Sequence, residues 1–177
     1  MKRVLLFRHA KSDWSHDGLS DRDRPLAPRG VKVAPRMGRY IQKNNLTPDV
    51  VYCSPARRAE ETCALAIGEL ISAPQIIIND ALYDFSGEAA YFDVIRNSDN
   101  VAETVMLVGH NPTLFYLAQM LVSTGDDGLR SDMNMKFPTA ALAVISFDVN
   151  SWHEIEPDTG NLEDYAKPRK LTKTDYL

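Results

Sequence analysis

Cysteine is scarce in this chain: its 177 residues hold two, Cys53 and Cys63. One such pair is no disulfide framework, and its spacing matches no common zinc-ligand pattern. Long apolar runs are missing too. After Lys2 and Arg3, only Val4 to Phe7 precede the next charge, which is too short for the apolar region of a signal peptide. No stretch approaches the roughly 18 apolar residues that span a bilayer. A basic excess is also lacking. The 20 Lys and Arg against 24 Asp and Glu leave a net charge of −4, which argues against a general nucleic-acid binder but leaves room for a local arginine pocket. The expectation is a cytoplasmic protein with reduced thiols, partnered by neither membrane nor nucleic acid.

What is present is a rhythm of short apolar runs and longer helical patterns, without internal repeats. RVLLF (3–7), DVVYC (49–53), QIIIN (75–79), TVMLVG (104–109) and ALAVISF (141–147) read as strands. They are mostly continuous rather than alternating in hydrophobicity, as strands covered on both faces are. Helices are expected at about 29–44, 55–70, 87–97 and 112–122. Val31, Ala34, Gly38 and Ile41 share a face of the first, with a kink or break at Pro35. Leu114, Leu117, Met120 and Leu121 form the inward stripe of the last. This alternation predicts a three-layer α/β/α sandwich with a mostly parallel central sheet. One domain over 1–177 is expected, with 167–177 as a polar, basic tail. The stretch 11–28 reads as a long loop, of the kind that carries function. Ser123 to Pro138 reads as irregular.

Three strands end in chemistry. RVLLF runs into Arg8 and His9, DVVYC into SPARRAEET, and TVMLVG into HNPTL. Ser54 with Pro55, and Asn111 with Pro112, have the form of a helix N-cap followed by a first helical residue. If the strands are parallel, all three junctions fall on the carboxyl edge of the sheet, where open α/β sheets bind ligands. Arg8, His9, Ser54, Arg57 or Arg58, His110 and Asn111 then converge. Guanidinium forks and helix N-termini both favour an anion, and phosphate is the natural one. Taken singly, each of these residues is better explained as a structural or surface group. Taken together, such explanations need three coincidences at one edge.

These residues resemble those of the histidine phosphatase superfamily, with its phosphoglycerate mutase-like fold. Arg8-His9-Ala10 is similar to the family's Arg-His-Gly signature, and SPARRAEET to its Ser-Pro-x-x-Arg-Ala-x-x-Thr element, which selects Arg58 over Arg57. VGHNP is similar to the segment carrying the second histidine, here His110. The length and the DRPLAPRG (23–30) and FPTAALAVISF (137–147) stretches most resemble the short phosphohistidine phosphatase branch, the SixA type. Ala10 departs from the family's glycine.

The resemblance implies a phosphatase with His9 as nucleophile, Arg8, Arg58 and a protonated His110 as clamps on the phosphoryl oxygens, and Asp84 as proton donor, with Glu88 the next candidate. Ser54, Asn111, Thr139, Lys11 and Ser12 are candidate substrate contacts, with Trp14 near the mouth. His16 and His153 read as ordinary exposed histidines. No metal or other cofactor is expected, since the cations do a metal's work. A cysteine-phosphatase loop is excluded because Cys53 stands one residue too close to Arg58. The implied substrate is a protein phosphohistidine, whose imidazole leaves more readily than an alkoxide. The alternatives are a phosphatase of small-molecule or Ser/Thr/Tyr phosphate esters, with a mutase less favoured, and a phosphate-binding module that does no chemistry. The oligomeric state is left open.

Overall fold

In β1 (Lys2–Arg8), Val4, Leu5, Leu6 and Phe7 are all fully buried, so neither face of the strand meets water. A computed structural model describes residues 1–15, 18–83 and 87–177. After β1 come α1 (Pro28–Lys43), β2 (Val50–Cys53), α2 (Arg57–Ile67), β3 (Gln75–Ile78), α3 (Glu88–Arg96) and β4 (Thr104–Gly109). The chain continues through α4 (Thr113–Leu121), β5 (Val122–Gly125), α5 (Asp127–Met135), β6 (Leu142–Phe147) and β7 (Gly160–Ala166).

The strands form one sheet in the order β3-β2-β4-β1-β6-β7-β5. β1 to β4 are mutually parallel, β6 opposes both of its neighbours, and β7 and β5 return to the direction of β1. Alternate strand residues face opposite layers. Leu5 and Phe7 join Val51, Met106 and Val108 under α1 and α2, where Ala34, Met37, Ile41, Cys63 and Ala66 meet them. Val4 and Leu6 join Val105 and Leu107 on the other face, under Tyr91 and Ile95 of α3 and Leu114, Leu117 and Leu121 of α4. This is the expected three-layer α/β/α sandwich with a mostly parallel sheet.

Several local readings are corrected. The stretch 123–138 is not irregular but holds β5 and α5. Only Met133 of α5 is buried, so no apolar stripe announces that helix, and its start is set by the Asp126 side chain accepting from the Leu129 N–H at 3.0 Å. β7 alternates buried and exposed positions and was not foreseen. α1 runs unbroken through Pro35, and Met37 rather than the 45%-exposed Val31 faces the core. The segment expected as a tail lies along α1: the Lys43 Nζ donates to the Leu177 carbonyl at 2.7 Å, and the Arg36 guanidinium stands 4.7 Å from the Tyr176 ring. Among the described residues, no helix is long and apolar enough to cross a membrane.

α1 and α2 touch at Gly38. A Cβ there would stand 2.1 Å from the Ala66 carbonyl oxygen, which is backbone and cannot turn aside. Gly38→Ala therefore forces the two helices apart. We expect a loss of about 1–3 kcal/mol in urea unfolding; an unchanged midpoint would show that the crossing yields at no cost.

Candidate active site

Register sets the site. Arg8 of β1 pairs with Gly109 of β4, and Cys53 of β2 with Val108, so the three strands end level. The next residues are held there by the ladder: the His9 N–H donates to the Gly109 carbonyl at 3.1 Å and the Ser54 N–H to the Val108 carbonyl at 3.0 Å. β6 enters from the same edge. Ala140, just before it, adopts a left-handed φ of 59°, a conformation that costs a side-chain-bearing residue on the order of 1–2 kcal/mol. Its N–H is shared by the Arg8 and His9 carbonyls, each at 3.1 Å, which offsets the strain.

His9 is buried, and its Nδ1 lies 2.7 Å from the Ala10 carbonyl. A carbonyl can only accept, so Nδ1 carries the proton and Nε2 keeps its lone pair. Burial, then the neighbouring His110, Arg58 and Arg8, lower the His9 pKa to about 3, while the Ala10 bond works the other way. The ring is a neutral imidazole at physiological pH. The carbonyl that orients it is itself tied down: the Ala10 N–H donates to the Thr62 hydroxyl at 3.0 Å, and that hydroxyl donates to the Arg58 carbonyl at 2.6 Å. Thr62 is the threonine that ends SPARRAEET.

The choice between the two arginines is settled by helix phase. Arg58, Ala59, Thr62, Cys63 and Ala66 form the buried stripe of α2, whereas Arg57 turns outward to Glu61 at 2.7 Å. Arg58 is held by Asp21, donating through Nη1 to its carbonyl at 2.6 Å and through Nη2 to its carboxylate at 2.9 Å. Arg8 donates to the Phe137 carbonyl at 2.7 Å, and its buried Nε has no hydrogen-bond partner among the described residues.

His110 stands 5.0 Å from His9, ring centre to ring centre. Its Nδ1 faces Arg58 Nη2 at 3.3 Å, and its Nε2 contacts the Ser54 hydroxyl at 2.7 Å. A guanidinium cannot accept, so Nδ1 is the accepting nitrogen and Nε2–H donates to Ser54. Burial and the Arg58 charge bring its pKa down to about 4, against an opposing pull from Asp21. In this geometry His110 is a neutral imidazole with its proton on Nε2. Tyr91 explains the glycine before it. Its hydroxyl accepts the His110 N–H at 3.2 Å, and a Cβ on Gly109 would meet that hydroxyl at 2.5 Å.

Other expectations shift. Neither Ser54 nor Asn111 caps a helix. α2 starts at Arg57 behind Ala56, and α4 starts at Thr113 behind Pro112. Ser54 is fully buried and supports His110 rather than reaching a ligand. Asn111 donates to the Phe137 carbonyl at 3.0 Å. Arg8, His9, Lys11, Thr139 and Asn111 line a cleft of about 340 Å³. Ser12 also lines it, with its hydroxyl accepting from Arg24 Nη1 at 3.3 Å. Asp84 and His16 lie outside the described residues, and Glu88, the first residue of α3, does not line the cleft. Among the described residues, no group of three or more His, Cys, Asp or Glu is placed to hold a metal.

Asp21, Arg24 and Tyr83 were not read from the sequence. Asp21 receives Arg58, the Arg24 guanidinium and the Tyr83 hydroxyl, the last at 3.2 Å. Burial pushes its carboxyl up, but Arg24 and Arg58 outweigh that and hold it below its ordinary value. Arg24 also covers the Trp14 ring at 3.5 Å. The composition of the 11–28 loop signals function, but only the fold shows which of its charges turns inward.

With this geometry in view, the comparisons agree. The model of the histidine phosphatase superfamily (branch 1) matches residues 4–88. An uncharacterised protein of Mycobacterium tuberculosis is 37% identical over 164 residues, covering 92% of this chain and 99% of the relative. Two solved structures are named as candidate SixA phosphohistidine phosphatases. The one from Nakamurella multipartitia has a TM-score of 0.80 at 28% identity, over 94% of this chain and 96% of its own. The one from Agrobacterium tumefaciens has a TM-score of 0.79 at 27% identity, over 94% and 98%. The chain belongs to the histidine phosphatase superfamily, in its SixA-type branch. It is a phosphatase.

Both histidines titrate below the usual value of about 6.5, so the unfolded chain binds more protons than the folded one between that pH and about 4 or 3. Their contribution to stability is complete above about pH 6.5 and is lost as the pH falls. Each contributes a slope of up to about 1.4 kcal/mol per pH unit in that window. Urea midpoints compared at pH 7 and pH 5 should fall less in a His9→Gln/His110→Gln variant than in the parent. Equal falls would mean that neither imidazole is held neutral.

Proposed function

We propose that this phosphatase hydrolyses phosphohistidine on a protein, through a covalent phosphohistidine formed on its own His9. The observation that carries this reading is the Nδ1–H bond to the Ala10 carbonyl, which leaves Nε2 as a lone pair in a cleft rimmed by guanidinium groups. A neutral imidazole so held attacks phosphorus without first losing a proton.

In the first step Nε2 bonds to phosphorus, the bond from phosphorus to the leaving imidazole nitrogen breaks, and that nitrogen takes up a proton. In the second, water attacks the phosphorus, loses a proton and releases inorganic phosphate, and the Nε2 electron pair returns to His9. Charge on the equatorial oxygens is met by Arg8 and Arg58, which are set in place by carbonyl groups before substrate arrives. An entering phosphoryl dianion raises the pKa of His110, which lies against Arg58, and can recruit it as a further donor. These side chains supply the charge stabilisation without a metal ion.

Two observations favour a leaving group that needs little acid help. The described carboxylate in the cleft, Asp21, is held ionised by Arg24 and Arg58 and is poorly suited to donate a proton. The structural relatives named above are candidate SixA phosphohistidine phosphatases.

His9→Ala should reduce hydrolysis at least about 1,000-fold while still binding inorganic phosphate. Rapid quenching of the parent should trap a phosphoenzyme that is labile to acid and stable to alkali. Wild-type turnover by the variant rules out His9 as nucleophile and assigns the chemistry to another residue; no turnover by the parent on any phosphorylated substrate would leave a binding module. A phosphohistidine peptide should be turned over faster than phosphoserine, phosphotyrosine or sugar phosphates; equal rates on the esters would assign the small-ester reading instead. EDTA should leave the rate unchanged, and strong inhibition would point to a metal.

A further inference from the structure

A second cavity, about 540 Å³, opens beside the catalytic cleft. The two share Arg8, Lys11 and Thr139 as a common wall. The far side is built from the Lys136–Ala140 strap leading into β6 and from Lys167 to Lys170, which leave β7 at the same sheet edge. The charge there runs against that of the whole chain. The protein carries a net −4, yet no acidic residue is among the described residues that line this groove.

Lys167 and Lys170 are both committed to Asp132, at 2.5 and 2.8 Å. Lys11, Arg29, Lys136 and Arg169 are exposed, and among the described residues none has an acidic group within ion-pair distance. Four unneutralised cations in one concave wall repel one another, an arrangement that is unfavourable unless an anion meets them. The backbone that carries two of them is fixed. The Lys11 carbonyl accepts the Ala27 N–H at 2.9 Å, which ties that residue to the start of α1, and the Lys136 carbonyl accepts the Tyr165 hydroxyl at 2.5 Å. The floor is apolar, with Val33, Pro138, Ala140 and Pro168.

Beyond the wall shared with the cleft, nothing in the proposed reaction uses this groove. A single phosphoryl group is accommodated by the cleft, on the other side of Arg8. A ligand that reaches both cavities carries its phosphate in one and further negative charge in the other, along a chain whose methylene groups cover the floor. We infer that the groove binds an acidic segment of the phosphorylated protein, its carboxylates meeting Lys11, Arg29, Lys136 and Arg169 while the phosphoryl group sits at His9. This rests on the reading that the substrate is a phosphoprotein. Clusters of cations select acidic motifs in this way, and they also speed encounter at low salt.

The test uses two phosphohistidine peptides of identical length, with glutamates flanking the phosphorylated residue in one and glutamines in the other. The parent should show about tenfold higher kcat/KM on the glutamate peptide at low ionic strength, with the advantage shrinking in high salt. Lys136→Glu/Arg169→Glu should abolish that preference while leaving turnover of free phosphohistidine, which fills only the cleft, at the parent rate; that rate also shows that the variant is folded. Lys136→Gln/Arg169→Gln should fall between. Equal kcat/KM for the two peptides in the parent, or an undiminished preference in the reversed variant, overturns the inference. If phosphoserine or phosphotyrosine peptides are cleaved and phosphohistidine is not, the leaving-group reading has failed, and the same Glu-against-Gln comparison on those peptides decides the groove separately. Binding of the labelled peptides to the His9→Ala protein makes the comparison without turnover, and equal affinity there also overturns it.

Discussion

The structure depends on one register. β1, β2 and β4 are covered on both faces, and a slip of one residue would exchange every inward side chain of one layer with that of the other. Leu5 and Phe7 belong under α1 and α2, and Val4 and Leu6 under α3 and α4. Hydrophobic packing therefore pins Arg8 against Gly109 and Cys53 against Val108, far more firmly than any contact in the cleft could. The chemistry inherits that precision. His9, Ser54 and His110 are neighbours because three apolar strands have no other acceptable alignment.

The second constraint is electrostatic. Cations gathered under low-dielectric walls repel one another, and each must be held by something other than the substrate. Backbone carbonyls do this. Phe137 receives Arg8, Asp21 receives Arg58, and Ala10 receives His9. Carbonyls orient a donor while adding only partial charge. The Asp21 carboxylate also pairs with Arg58 but is shared with Arg24, so among the described residues lining the cleft the cations still outnumber it and the cleft keeps its attraction for an anion. Burial among these cations also keeps both imidazoles neutral, which is the state a nucleophile needs.

Much of the fold was legible because its signal is periodic. β1, β4 and α4 fall where continuous apolar runs and a helical stripe put them. β5, α5 and β7 escaped because each buries little or contains residues that look like a turn. α5 rests on one buried methionine, and β7 opens on Gly160 and carries Asn161, Glu163 and Asp164 between its buried positions. Pro35 misled in the other direction: a residue that often breaks a helix is tolerated in a helix held by α2.

Of the site, the sequence by itself determined the candidate set: an arginine and a histidine at one strand end, a second histidine at another, and a second arginine in the helix that follows a third. Residue type and order carry this, since nucleophile and anion-binding groups are written directly in side-chain chemistry. The tertiary structure gives the physical reason that Arg58 and not Arg57 turns inward, and it alone decided that the Ser54 hydroxyl is taken up by His110, that His110 is neutral in this geometry, and that Asp21 and Thr62 hold the others in place. Those are properties of distance and burial between residues remote in the chain. A carboxylate in an 18-residue loop, or a lysine near the C-terminal end, acquires its meaning from what the fold sets opposite it.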